Sequence, residues 1–277
     1  MVALAVLTCG PAPAAAASAL ADLLRRAADY VRQFEHDFAS VITDETYDQE
    51  DTVNVPDTPR RDHRRLRSEM LFMRLPGQGL SWLTARNVLE VDGAPVADSA
   101  DRLERAIKGD RAGLLDRLRS VADEGARFNL GDIRRNFNDP ILPLLFLDRE
   151  YQPRFKFRLG DEEDVDEGRA RKVSFRETER PTLIRESIGR DLFTSGALWI
   201  RAADGVVVRT ELGAASAITH TSLVIRVDYR YDSKLTMWIP ARMVEHYRYP
   251  EAMEEVDCTA TYSNPRRFET SGRVILK

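Results

Sequence analysis

Cysteine is nearly absent. The 277 residues hold two, Cys9 and Cys258, which excludes a disulfide-stapled scaffold. Histidine is scarce as well: His36, His63, His220 and His246 are the only four. No two of them stand at His-Glu-x-x-His or a similarly close spacing, so no metal ligand set is expected. Phosphate-binding glycine loops are missing, and so are Gly-x-Ser-x-Gly and Ser-x-x-Lys. Gly77-Gln78-Gly79 lacks a third glycine and reads as a turn. Neither sign of charge dominates, since 41 basic against 45 acidic residues leave a formal net charge of −4. That balance gives no electrostatic basis for nucleic-acid binding and does not favour an anionic membrane surface. No residue is therefore assigned a catalytic role, and no cofactor is expected. A hydrolase with an unrecognised site stays open as an alternative, because Asp and Glu are plentiful although nothing singles out a pair.

What is present is a soluble globular composition, 43% hydrophobic and 31% charged. Its most ordered stretch is Leu20 to Ile42. Leu20, Leu23, Leu24, Ala27, Val31, Phe34, Phe38, Val41 and Ile42 recur at steps of three and four, one stripe on one helix face. Ahead of it, Met1 to Ala21 carries no charged residue. Its apolar core Val2–Leu7, the two prolines Pro11 and Pro13 and the small-x-small ending Ala17-Ser18-Ala19 predict a secretory signal peptide over 1–19. It lacks the usual Lys or Arg before the core. Thr8 stands where a lipoprotein signal carries a smaller residue, so anchoring through Cys9 is not favoured. Pro11, Pro13 and Gly10 make a poor membrane span, and none is expected after cleavage. The remainder, 20–277, is expected to form a single domain in the periplasm or outside the cell. Cys258, alternating with Ala260 and Tyr262, suits a small buried strand position.

After the helix the period falls to two. Strands are expected at Thr46–Val53, Arg64–Leu75, Trp82–Val91, Arg154–Leu159, Lys172–Glu177, Thr182–Glu186, Gly196–Arg201 and Val206–Leu212. Ser222–Tyr231, Leu235–Ile239, Met243–Tyr249, Val256–Tyr262 and Phe268–Ile275 continue the series. Asp92-Gly93 marks a tight hairpin, and the acidic run from Asp161 to Gly168 reads as a solvated loop. Arg60, Arg61, Arg64, Arg65 and Arg67 suggest a charged strand edge before they suggest a phosphate site. Leu103, Ile107, Leu114, Leu115, Leu118 and Val121 are helically spaced, with Gly109 and Gly113 splitting two helices. Asp139-Pro140 starts a short, wholly apolar helix over Ile141–Leu147. A helical insertion at about 98–147 is thus expected within a sheet too long to stay flat. The fold class is α+β: a strongly curved antiparallel sheet, an incomplete barrel, wrapped on a long N-terminal helix.

Leu235-Thr236-Met237-Trp238-Ile239-Pro240, followed by Thr259-Ala260-Thr261-Tyr262-Ser263-Asn264 and Arg267-Phe268, resembles the LolA-like class of periplasmic lipoprotein-sorting carriers. Ala-Thr-Tyr-Ser-Asn and Gly-Ala-Leu-Trp-Ile (Gly196–Ile200) are also similar to segments of a group of uncharacterised secreted bacterial proteins. The LolA-like resemblance implies an incomplete barrel capped by helices around an acyl-chain cavity. It implies a non-enzymatic role and a lipid or lipoprotein partner. No ligand residue transfers one by one, because shape rather than a motif defines that cavity. Alternation in this sequence nominates Phe34, Phe38, Leu198, Ile200, Val208, Ile225, Val227, Met237 and Ile239 as groove residues. An envelope interaction or sensory module, binding a protein on the same scaffold, is the alternative.

Overall fold

The computed structural model describes residues 13–38, 41–74, 82–108, 113–131, 138–186 and 189–267. One helix, α1 (Pro13–Phe38), precedes four strands: β1 (Val41–Val53), β2 (Arg60–Arg74), β3 (Trp82–Val91) and the two-residue β4 (Ala94–Pro95). Three helices follow, α2 (Arg102–Lys108), α3 (Leu114–Ala126) and α4 (Leu142–Leu145). The strands then resume with β5 (Phe155–Val165), β6 (Gly168–Glu177), β7 (Thr194–Ile200), β8 (Val207–Ala215), β9 (Ser222–Asp232), β10 (Met237–Tyr249) and β11 (Glu254–Arg267). All eleven form one sheet in the order β4-β3-β2-β1-β11-β10-β9-β8-β7-β6-β5, antiparallel throughout. It is curved and not closed. β4 and β5 are its two edges.

The core sits on both faces of this sheet, unequally. On the concave side the stripe Leu23, Ala27, Val31, Phe34 and Phe38 of α1 joins Ile141–Leu147 and the inward rows of β1, β2 and β6–β11 in one cluster. A smaller cluster on the convex side unites Ile42, Leu71 and Ala85 with Leu103, Ala106, Ile107, Leu118 and Val121 of α2 and α3. Neighbouring residues of β1 show the division: Val41 belongs to the first cluster and Ile42 to the second, as strand alternation requires. The two were expected as the last turn of the helix. α1 stops at Phe38 because their β-branched side chains each meet a different layer.

Topology explains the helical insertion. β4 and β5 lie at opposite edges, so the connection between them must cross the whole sheet. α2 and α3 take it along the convex side of β1–β3, with α3 against β3, and near Gly125 it turns the edge. Gly125 is required there: a Cβ would run into the Arg86 carbonyl oxygen of β3. Gly125→Ala is expected to lower stability by about 1–3 kcal/mol through forced displacement of α3. A urea midpoint unchanged from wild type would refute this. Beyond the edge, the Phe128 carbonyl accepts from Gln49 and Arg64 of the concave face (3.2 and 3.1 Å). The chain then passes through Ile141–Leu147 to reach β5.

Several local expectations needed correction. The acidic run Asp161–Val165 is strand rather than loop. Glu162, Glu163 and Asp164 lie opposite Arg171, Ala170 and Arg169, and Arg169–Glu162 (3.0 Å) and Lys172–Glu163 (3.4 Å) neutralise them. Leu235–Ile239 and Met243–Tyr249 are not two strands. From Met237 they form the single strand β10, bulged between Pro240 and Arg242, where a missing N–H is tolerated. Thr182–Glu186 joins no ladder beyond an isolated Arg185–Asp191 bridge, since Asp191 accepts the Thr182 N–H and hydroxyl (2.8 and 3.2 Å). Strand β2 begins at Arg60, four residues before its expected start at Arg64. The Asp92-Gly93 hairpin forms with φ of 51° and 83°, and Asp139 Oδ1 accepts the Ile141 N–H at 2.9 Å. Helix α1 begins at Pro13, seven residues before its expected start at Leu20. Cys9, Gly77–Gly79, Gly109 and Phe268–Ile275 lie outside the described residues.

Candidate functional site

The concave face is where chemistry collects, because two kinds of side chain line it. The larger part is apolar. Leu198 and Ile200 on β7, Val208 on β8, and Ile225 and Val227 on β9 are buried with Phe34 and Phe38 of α1 in the same cluster. Phe34 stacks on Phe38 at 4.6 Å between centroids, and Phe38 meets Phe72 at 4.8 Å. Phe146, just past α4, stacks on Phe155 at 4.6 Å and meets Phe175 edge-on at 5.4 Å. Met237 and Ile239 are buried in this cluster too. Their register differs: the β10 bulge sets them opposite Asp232 and Arg230, the row that alternates with Val227 and Tyr229. Simple alternation across Pro240 hides that shift, since one inserted residue exchanges the faces.

The second part is a polar layer that sequence reasoning missed. Glu45 on β1 accepts both Nε and Nη2 of Arg86 on β3, at 2.7 and 2.9 Å, and both side chains are almost wholly buried. The Arg86 guanidinium lies 4.4 Å from the Tyr47 ring centroid. Burial opposes its charge, but the Glu45 carboxylate outweighs this and holds its pKa above the ordinary value. Asp139 accepts from the Thr84 hydroxyl and the Ile141 N–H. Burial still pushes its carboxyl pKa up. Tyr229 donates to the Pro140 carbonyl at 2.6 Å. Burial raises the phenols of Tyr229, Tyr262 and, on α1, Tyr30 far above their usual value. On β10 the Tyr247 hydroxyl donates to Glu245 Oε2, while Glu245 Oε1 has no hydrogen-bond partner. A bare buried acceptor of this kind costs about 1–3 kcal/mol. The spacing Glu45-x-Tyr47 and the lone Arg86 carried no signal, because the partners stand on two strands, β1 and β3, that β2 separates.

The cover over this face is held differently from the strands. α1 and the Ile141–Leu147 stretch share no ladder with the sheet. Besides apolar packing and the bonds from Thr84 and Tyr229 to Asp139 and Pro140, several polar contacts among the described residues tie them down. Arg149 pairs with Asp29 (2.8 Å), and Gln152 reaches the Leu24 and Leu147 carbonyls (3.2 and 2.6 Å). Arg267 reaches the Asp37 carbonyl at 2.6 Å. Midway along α1, Gly205 lies against the Arg26 backbone.

The remaining candidates resolve into ordinary surface chemistry. Arg60, Arg61, Arg65 and Arg67 pair with Asp51, Glu50, Asp48 and Glu90, so the basic run is answered by acidic partners across the strands. His246 meets Asp257 at 2.7 Å on the exposed side. His63 lies 3.6 Å from Asp48, and His220 3.7 Å from Glu251. Among the described residues, no three His, Cys, Asp or Glu side chains are grouped to hold a metal ion. No described helix is long and apolar enough to cross a membrane. Cys258 is a buried free thiol.

No protein-family model matches the chain, and no curated protein does. Solved structures do. A LolA superfamily protein from Nitrosomonas europaea is 12% identical, with 90% of this chain and 97% of that one covered and a TM-score of 0.35. A DUF1329 family protein from Desulfovibrio piger is 12% identical over 92% and 95% of the two chains, with a TM-score of 0.33. A putative outer membrane lipoprotein-sorting protein domain from Vibrio parahaemolyticus is 8% identical over 90% and 95%, with a TM-score of 0.34. The chain is thus similar to structures of the class its β10 and β11 segments resemble. Likenesses this distant say nothing of activity, for which the geometry of the concave face is the ground.

Proposed function

We propose that this is a non-enzymatic protein of the bacterial periplasm or exterior that takes an acyl chain, from a lipid or a lipoprotein, against the concave face of its half-barrel. The observation that supports this reading is the nature of the cover. An apolar concavity spanning β6 to β10 is filled by α1 and the Ile141–Leu147 stretch, which pack on it without joining the ladder. Apolar packing is non-directional, so an acyl chain offers the concave wall the same partner as Phe34, Phe38 or Leu144. Displacing the cover costs about 25 cal/mol per Å² of apolar surface, and the incoming chain returns the same amount per Å² it buries. Strand pairing offers no such exchange, because each displaced N–H and C=O would need a new partner. The groove residues of this proposal are Phe34, Phe38, Leu198, Ile200, Val208, Ile225 and Val227; Met237 and Ile239 drop out, because the β10 bulge registers them with the opposite row.

Native mass spectrometry of protein purified from the envelope fraction, before and after organic extraction, tests the reading. A bound mass that is lost on extraction and fragments as a lipid is the expected result. An apo mass, with no uptake of a fluorescent fatty-acid or fatty-amine probe, would overturn it.

A further inference from the structure

We propose that Glu245 receives the head group of the acyl ligand, and that this head group carries nitrogen donors, as an ammonium or an amide does. The inference rests on the acyl-chain reading and adds the chemical class of the ligand. Glu245 is fully buried on β10. The register sets it opposite Ile225 of β9 and Cys258 of β11, in the inward row between Met243 and Tyr247. Its Oε2 accepts the Tyr247 hydroxyl, and its Oε1 has no partner. A carboxylate oxygen at such a depth is an acceptor without a donor, and only a donor completes it.

The neighbouring charges favour the same sign of ligand. Arg86 would be the natural receptor for a carboxylate or phosphate head, but two charge-assisted bonds to Glu45 already occupy its guanidinium. Asp139, bonded to Thr84 and Ile141, adds a second acidic group to the layer. An anionic head entering here would meet Glu245 as a like charge. An ammonium or amide N–H would instead give Oε1 its missing bond within a low-dielectric wall, where such a bond is strong.

Two probes with the same chain and fluorophore, a fatty amine and a fatty acid, decide the matter on the full protein. The amine is expected to bind about tenfold more tightly, the difference one charge-assisted hydrogen bond makes. In Glu245→Gln the two affinities should come within about threefold of each other. Glu211→Gln, which alters a surface carboxylate paired with Arg226, should leave the preference intact. Equal binding of both probes, tighter binding of the acid, or a preference that survives Glu245→Gln would overturn the assignment while leaving the acyl-chain reading in place. Failure of both probes to bind would overturn the two together. Should Glu245→Gln not fold, competition on the wild-type protein still decides: the unlabelled amine must displace the labelled amine at about a tenth of the acid concentration.

Discussion

Replacing Arg86 by leucine is expected to remove about 3–5 kcal/mol of folding stability, because it strands Glu45 as an unpaired buried charge. The pair is bidentate, almost wholly buried and roofed by the Tyr47 ring. It links β1 to β3 across β2, so the loss should appear as a lower urea midpoint for the whole domain. Adding Glu45→Leu to Arg86→Leu should restore much of the stability, since removing both charges also removes their desolvation penalty. Chemical denaturation of the two single variants and the double variant measures this. A double variant as unstable as the sum of the singles would mean that the two side chains act independently, contrary to the geometry.

The second large effect is expected at Phe38, whose ring is fully buried between Phe34 and Phe72 at the end of α1. Phe38→Ala removes a whole ring from a packed layer and should cost about 3–5 kcal/mol, from lost transfer energy and from the cavity left behind. The location of the loss matters more than its size. α1 is attached by packing and a handful of polar contacts, whereas β1, β10 and β11 are locked by continuous ladders. Hydrogen exchange should therefore show α1 amides losing protection well before those of β10. Uniform loss across both elements would show that the cover and the sheet open together, and would weaken the case that the cover is displaceable.

Part of this molecule is written in local sequence. The stripe Leu23, Ala27, Val31, Phe34 and Phe38 made α1 legible from spacing alone, because a 3.6-residue period admits one face. Period-two alternation located most of the strands, including Ser222–Asp232, whose inward row Leu223, Ile225, Val227 and Tyr229 is buried in full. Asp92-Gly93 set its hairpin through backbone chemistry that needs no distant partner; Asp139 instead caps the turn ahead of α4, which starts at Leu142 with Ile141 at its N-cap.

What local sequence could not express are relations between segments far apart in the chain. Val41 and Ile42 continue the helical stripe on paper, yet they belong to a strand because two different layers compete for them. The acidic run Asp161–Val165 becomes a strand only because Arg169, Arg171 and Lys172 return beside it. Helices α2 and α3, legible from spacing as a helical insertion but not as to the face they cover, lie on the outer face of β1–β3. That follows from the order of strands, for a connection from β4 to β5 must travel between opposite edges. Glu45, Arg86 and Glu245 come from three strands of the sheet, and only its curvature buries them in one layer. Composition and periodicity thus determined the class of the protein, a long helix on an antiparallel sheet. Tertiary structure alone decided which face each helix covers and which charges are buried, because both depend on contacts between residues dozens to hundreds of positions apart.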